Sequence, residues 1–363
     1  MSRVQNASQA PGEAVQGGPP PPPRSRIQRR PSTYDFRLRS DERAGRLLGG
    51  RYRIEGFLAK GGTSEVFLAQ DTIGRELVVI KQLFSEAAAH PELRARFLSE
   101  AQVTQGIEHK AVVRVLGVEE PADEPPFMIL EALRGESLGD YLRRNGVMSQ
   151  DLGLVLLRQA AAALAAAHET GIVHRDVKPD NFFLLGQRDC PVGLKLIDFG
   201  MARLETEETT EDSTSVLGTA QYMAPEQILV EPVDARADVY GFGVVMFRMF
   251  TGHLPFEAGG PKELLLHQLF SPVPPPSWLA EDLDPRLERI ILRATAKHPD
   301  NRFGSMHELL EALNAVIGLG PETPAPPPVH LPDVYAPTTA RGHRVARHLA
   351  KDFGPYAVTS VLD

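Results

Sequence analysis

The sequence predicts an α+β chain in which a small β-rich lobe carrying one main helix precedes a larger, mainly helical lobe. Two observations carry this reading. Between Tyr52 and Gln82, short β-branched and apolar runs alternate with Gly-containing turns. From about residue 137 onward, apolar residues recur at helical spacing in successive long stretches.

Taken in order, Ile54, then Val66-Phe67-Leu68, then Val78-Val79-Ile80 supply three strands separated by turns. A helix is expected over 91–106, with Leu93, Phe97, Ala101 and Thr104 on one face. Strand patterns return at 112–118 and 127–130, so the first lobe reads β-β-β-α-β-β. A hinge at 131–136 follows. Helices are then expected at about 137–145, 150–169, 234–251, 262–270, 284–296 and 305–317, with short strands at 181–185 and 194–197. The expected boundaries are a domain over 49–318 (lobes 49–132 and 136–318) between tails at 1–48 and 319–363.

Order is expected to begin near Tyr52, since the first tail is rich in Pro, Gly, Gln, Ser and Arg. Its run Pro19 to Pro23 suits either an extended helix docking on an aromatic groove or a solvated linker. Arg29-Arg30-Pro31-Ser32 has the form of a phosphorylation site, a match that also arises by chance in Arg-rich tails. In the second tail, Val345, Leu349 and Phe353 recur at helical spacing among Arg341, Arg344, Arg347 and Lys351. That pattern fits either a basic amphipathic docking helix or a weakly ordered segment.

The 363 residues carry a formal charge of −8, which argues against nucleic acid as the main partner. The single cysteine, Cys190, excludes an intrachain disulfide and reads as part of a turn beside Pro191. No apolar run is long enough to span a membrane; the most apolar stretch, 152–167, is interrupted by Arg158 and Gln159. The N-terminus lacks an apolar leader core, so the expectation is a cytoplasmic protein.

Four segments carry chemistry. In Leu58-Ala59-Lys60-Gly61-Gly62-Thr63-Ser64-Glu65-Val66, the two glycines let a turn close over a phosphate, although they suit an ordinary hairpin equally. Lys81 ends an apolar strand and is either a solvated strand-end lysine or one half of an ion pair with Glu100 on the following helix. His174-Arg175-Asp176-Val177-Lys178-Pro179-Asp180-Asn181 places six polar side chains in eight residues after an apolar helix. There a carboxylate can take a hydroxyl proton, a lysine can steady a phosphoryl group and an amide oxygen can ligand magnesium. Finally, Leu194-Lys195-Leu196-Ile197 delivers Asp198 to the turn Asp198-Phe199-Gly200, 22 residues after Asp176.

Together these segments, over roughly 52–317, resemble the eukaryotic-type (Hanks-type) protein kinases, specifically the bacterial Ser/Thr branch. The resemblance implies the bilobal protein-kinase fold and transfer of the γ-phosphate of ATP to protein hydroxyls, with magnesium or manganese as the metal. It makes Asp176 the catalytic base, puts Lys178 on the γ-phosphate, pairs Lys81 with Glu100 and assigns the metal to Asn181 and Asp198. It lines the nucleotide site with Ala59, Gly61, Gly62, Ser64, Val66, Val79 and Phe183, puts Leu130 at the gatekeeper position, and gives adenine the backbone of Glu131 and Leu133. Ala224-Pro225-Glu226 would end the activation segment, Arg302 would pair with Glu226, and Asp238 would support the catalytic loop. Lys178 and the stretch around Thr219, expected to bond Asp176 and Lys178, resemble the Ser/Thr rather than the Tyr members.

Four positions depart from the family pattern: Ala59 and Ser64 stand at the first and third glycine places, Val79 replaces alanine above adenine, and Phe183 lies below it. No charged catalytic group is lost. The segment 205–215 mixes hydroxyls with carboxylates, and the expected autophosphorylation sites are Thr209, Thr210, Ser213, Thr214 and Ser215, with Arg175 as the capturing cation. Self-association would serve that reaction. Two other readings are a pseudokinase scaffold, which would lack Lys81, Asp176 or Asp198, and a small-molecule phosphotransferase, which would lack Ala224-Pro225-Glu226 and the long loop before it.

Overall fold

The computed structural model describes residues 42–188, 190–199 and 220–318, together with Thr338, Thr339 and Gly342. Strands β1 (Leu47–Leu48), β2 (Tyr52–Lys60), β3 (Ser64–Asp71), β4 (Leu77–Leu83), β5 (Val115–Glu119) and β6 (Phe127–Glu131) form one antiparallel sheet in the order β1-β2-β3-β4-β6-β5. The first strand lies within the stretch the composition assigned to the tail. Its Leu48 is nevertheless buried against Tyr52 and Phe127, because a short apolar pair needs only a neighbouring strand edge to be covered.

The two faces of this sheet differ. Val78 and Ile80 join Phe67, Ala69, Phe127 and Ile129 in a closed core on one face. Strict alternation then turns Val79 and Lys81 to the other face, where Leu130 and Met128 pair directly opposite them. That face also receives α2 (Pro91–Gln105), whose Phe97 and Ala101 pack with Val115 and Met128. A short α1 (Ser85–Ala88), unexpected from the sequence, leads into α2, and proline at N1 starts α2 where no backbone donor is needed.

Past the hinge, β7 (Gly135–Ser137), β8 (Phe182–Gln187) and β9 (Cys190–Leu196) form a three-stranded sheet. This corrects two sequence expectations. Cys190 opens β9 rather than lying in a turn, and Asn181 belongs to a 3-10 turn ahead of β8 rather than to the strand. The strand β7 was missed because three residues, Gly-Glu-Ser, show no alternation. Gly135 adopts φ +145°, and a Cβ there would lie 1.7 Å from the Leu184 carbonyl oxygen, so only glycine lets the hinge strand pass this close to β8.

The helical lobe contains α3 (Leu138–Asn145), α4 (Gln150–Glu169), α5 (Pro225–Ile228), α6 (Arg236–Thr251), α7 (Pro261–Phe270), α8 (Pro285–Ala294) and α9 (Met306–Val316). The apolar stripes of α4, α6, α8 and α9 close around one core containing Leu157, Leu164, Phe242, Phe247, Ile291 and Leu313. Side-chain caps by Ser137, Asp284 and Ser305 satisfy the first turns of α3, α8 and α9. No helix among the described residues is long and apolar enough to cross a membrane.

Candidate active site

Lys81 projects from β4 toward α2 and donates to Glu100 Oε1 at 2.7 Å and to Asp198 Oδ1 at 2.9 Å. Its side chain is only 12% exposed. Burial opposes the ammonium charge, but Asp198 and Glu100 outweigh it and push the Lys81 pKa above its ordinary value. For Glu100, burial is the largest influence and raises the pKa, with Lys81 opposing. Asp198 is half exposed; Lys81, with a contribution from Lys178, overcomes its desolvation and holds it below the usual carboxylate range. The sequence left the direction of Lys81 open, and the sheet register settles it.

The loop between α4 and β8 is held from below by α6. Asp238, 1% exposed, accepts the backbone N–H of His174 through Oδ2 and that of Arg175 through Oδ1, both at 2.7 Å. Oδ2 also meets His168 Nε2 at 2.7 Å. Gln227 Nε2 donates to the Arg175 carbonyl at 2.9 Å. These contacts hold Arg175 at φ +64°, a left-handed conformation that costs a non-glycine residue about 1 kcal/mol or more. Gly241 makes the approach of α6 achievable, since a Cβ there would come within 3.1 Å of the Val177 carbonyl.

On this platform Lys178 Nζ donates to Asp176 Oδ2 at 2.6 Å, and Asn181 Nδ2 donates to the Asp176 carbonyl at 2.8 Å and to its Oδ2 at 3.2 Å. His174 is fully buried and stacks beside Phe199 with ring centroids 4.6 Å apart. Its Nδ1 accepts from the Asp176 backbone N–H, which places the imidazole proton on Nε2. Burial lowers the pKa of His174, so the ring stays neutral. Phe199, next to Asp198, is 0% exposed and anchors that end of the strand, while Asp198 itself takes φ +56°. The backbone of β9 meets the first lobe where Val113 N donates to the Leu196 carbonyl and Leu196 N to that of Ala111.

The expected nucleotide residues lie on β2, β3, β4, β6, β8, the β2–β3 turn and the hinge. Gly61 N donates to the Ser64 carbonyl at 2.7 Å, closing the turn between β2 and β3. Ala59 lies in β2 opposite Val66, and Val66 lies opposite Lys81. Ser64 is buried at the start of β3 rather than in the turn, and Gly62 has open space around it. Val79 and Leu130 are directly paired, and Phe183 pairs with Lys195. The Glu131 carboxylate points away from the hinge backbone. It accepts from Arg114 N at 2.8 Å and from Lys195 Nζ at 2.5 Å, and Lys195 also reaches the Val112 carbonyl. Leu133 is half-buried in the hinge.

Behind the loop, Glu226 on α5 and Arg302 form a buried bidentate pair at 2.7 and 2.8 Å. The remaining donors of Arg302 go to the carbonyls of Ala296, Arg236 and Lys297, so all five are used. Gln227, His168 and Lys195 complete the site but were not singled out in the sequence. The i+1 place of Gln227 after Glu226 was a local signal for the first; nothing local marked the other two. Gly200, Thr219, the candidate sites Thr209, Thr210, Ser213, Thr214 and Ser215, and the apolar set Val345, Leu349 and Phe353 lie outside the described residues.

Residues 52–313 match the Protein kinase domain family. The chain belongs to that family. Its kinase domain is 35% identical over 273 residues to the probable serine/threonine-protein kinase PknB of Corynebacterium glutamicum, covering 72% of this chain and 42% of that one. It is 37% identical over 275 residues to Pkn1 of Myxococcus xanthus, covering 74% and 38%. The chain thus spans less than half the length of the curated relatives it matches. Among solved structures, the PknI kinase domain of Mycobacterium tuberculosis superposes with TM-score 0.59 at 27% identity, covering 75% of this chain and 97% of that one.

Proposed function

We propose that this chain is an ATP-dependent protein kinase that transfers the γ-phosphoryl group to Ser or Thr hydroxyls of protein substrates. The observation that carries the reading is the Asp176–Lys178–Asn181 cluster, fixed by Asp238 and facing the Lys81–Glu100–Asp198 cluster. The first cluster supplies a base and a phosphoryl-steadying cation; the second supplies a buried ammonium for the α- and β-phosphates.

Asp176 accepts the proton of the attacking hydroxyl, and its bond from Lys178 keeps the carboxylate aimed. Lys178 then remains beside the γ-phosphoryl group as negative charge spreads over its oxygens. Glu100 holds Lys81 extended into the cleft, so no reorganisation of the ammonium is needed when phosphates arrive. The oxygen of Asn181 and the half-exposed carboxylate of Asp198 suit a hard divalent cation, magnesium or manganese. That ion supplies charge neutralisation for the phosphates when bound. The backbone of Glu131 and Leu133, with Val79, Val66, Leu130 and Phe183, forms the adenine site in this reading. The Glu131 N–H is already donated to the Arg114 carbonyl at 3.0 Å, so it is the Glu131 carbonyl that would meet the base.

Lys178 and the stretch around Thr219 support the Ser/Thr preference, and the named relatives are serine/threonine-protein kinases. Arg175 stands beside the base, and its Nε is buried without a hydrogen-bond partner among the described residues. It is the proposed receiver of a phosphate on Thr209, Thr210, Ser213, Thr214 or Ser215. The test is incubation with radiolabelled ATP, magnesium and a generic basic protein, followed by phosphoamino-acid separation. Wild type should label Ser or Thr, and Asp176→Asn should not; an unlabelled wild type would overturn the proposal.

A further inference from the structure

Gln268, near the end of α7, is 1% exposed, a buried polar side chain whose partners lie on two other parts of the lobe. Its Oε1 accepts the hydroxyl of Tyr240 on α6, and its Nε2 donates to the Gln221 carbonyl at 2.6 Å and to the Ala220 carbonyl at 3.5 Å. Chemistry fixes this orientation of the amide, since a carbonyl can only accept and the NH2 end alone can donate. Lys297, just past α8 and 0% exposed, holds the end of α7 in place. Its Nζ donates to the carbonyls of Gln268 at 2.9 Å and His267 at 3.3 Å, and to the Tyr240 hydroxyl oxygen at 3.4 Å. A cation there satisfies carbonyls of the last turn that the helix itself cannot pair.

The two carbonyls that Gln268 holds open the segment 220–224, which runs into α5. At the other end of that segment, Ala224 N donates to Gln227 Oε1 at 3.1 Å, and Gln227 Nε2 reaches the Arg175 carbonyl. Midway, two carbonyls crowd the same glycine of α6: a Cβ on Gly241 would lie 3.3 Å from that of Tyr222 and 3.1 Å from that of Val177. The segment thus passes beside the residue that follows Asp176.

We propose that Gln268 is a positioning residue for the acceptor polypeptide. The inference rests on the kinase reading, which brings an acceptor hydroxyl to Asp176. The residues flanking that hydroxyl follow at about 3.8 Å per step, so the acceptor chain lies against the segments beside the base. Of these, 220–224 is the one that α7 controls through Gln268. A buried amide, oriented by Tyr240 and donating to two successive carbonyls, fixes this backbone before an acceptor arrives and so lowers the ordering cost of binding. The residues read as meeting ATP lie on the first lobe, the hinge, β8 and the Asp198 turn, and nucleotide affinity is indifferent to Gln268.

The test separates the two substrates kinetically. Gln268→Met keeps the length of the side chain and removes both amide functions. With myelin basic protein as acceptor, it should raise KM for the acceptor by about five- to tenfold and leave KM for ATP within about twofold of wild type. Tyr240→Phe keeps the ring but removes the hydroxyl that orients the amide, and should shift the acceptor KM the same way by about two- to threefold; it carries the test where the core does not tolerate methionine. Hydrogen exchange reads the positioning without catalysis: amides of 220–224 should exchange about tenfold faster in Gln268→Met, with those of α9 unchanged. An unchanged acceptor KM, parallel rises in both KM values, or an acceptor effect without faster exchange would overturn the proposal and leave the kinase reading intact. A wild type that labels no acceptor would overturn the kinase reading and this role of Gln268 with it.

Discussion

Lys81 and Glu100 meet at 2.7 Å although they sit on different elements, a strand and a helix, and the strand's alternation decides that they meet at all. Lys81→Met should abolish the ammonium contact to the phosphates and lower kcat by about 10²–10³-fold. Glu100→Gln keeps a hydrogen-bond acceptor and should cost less, chiefly in KM for ATP. Steady-state kinetics with a peptide substrate separates the two; equal losses in both variants would mean that Glu100 does more than position Lys81.

Glu226 and Arg302 are buried together, with side chains 4% and 0% exposed. Removing one partner strands the other charge, so Arg302→Ala should destabilise the domain by about 3–5 kcal/mol. The double variant Glu226→Gln with Arg302→Met should be less damaging than Arg302→Ala alone. Urea unfolding of the three proteins checks this ordering.

Lys195, three residues before Asp198, connects Glu131 in the hinge to the Val112 carbonyl. Lys195→Met keeps the length of the side chain and removes the brace. The expected result is a several-fold rise in KM for ATP with kcat largely retained, because the hinge backbone loosens while Asp176 and Lys178 stay in place. A fall in kcat with unchanged KM would assign Lys195 to the chemistry instead.

His174 supplies a pH dependence. Burial lowers its pKa in the folded protein, whereas the unfolded chain takes up the proton near pH 6.5. Its contribution to stability is therefore complete above about pH 6.5 and declines as pH falls toward the folded value. The melting temperature of wild type should drop between pH 7.5 and 5.5 by more than that of His174→Phe, which keeps a ring against Phe199. Parallel melting curves for the two proteins would remove His174 as the source.

Much of the site was legible where its residues are close in sequence. Asp176, Lys178 and Asn181 lie within six residues, and the apolar run into Asp198 marks a strand ending in a turn. Element errors came where the pattern was too short to have a period: β1, β7 and α1 have between two and four residues. Cys190 was misread because Pro191 suggested a turn, whereas at the start of β9 the missing N–H of proline is tolerated.

The sequence by itself determined which chemical groups this protein carries and their local spacing, because turn residues, apolar periods and charged clusters act over a few positions. Tertiary structure decided which of those groups meet. Lys81 and Asp198 lie 117 residues apart in the chain, and Glu231 and Thr338 lie 107 apart. Such pairings follow from sheet register and from the way α6 and α5 pack beneath the loop, and both are set by burial of the whole core. For Lys81 in particular, the strand was readable but its face was not: a one-residue shift in register would have turned the ammonium away from Glu100.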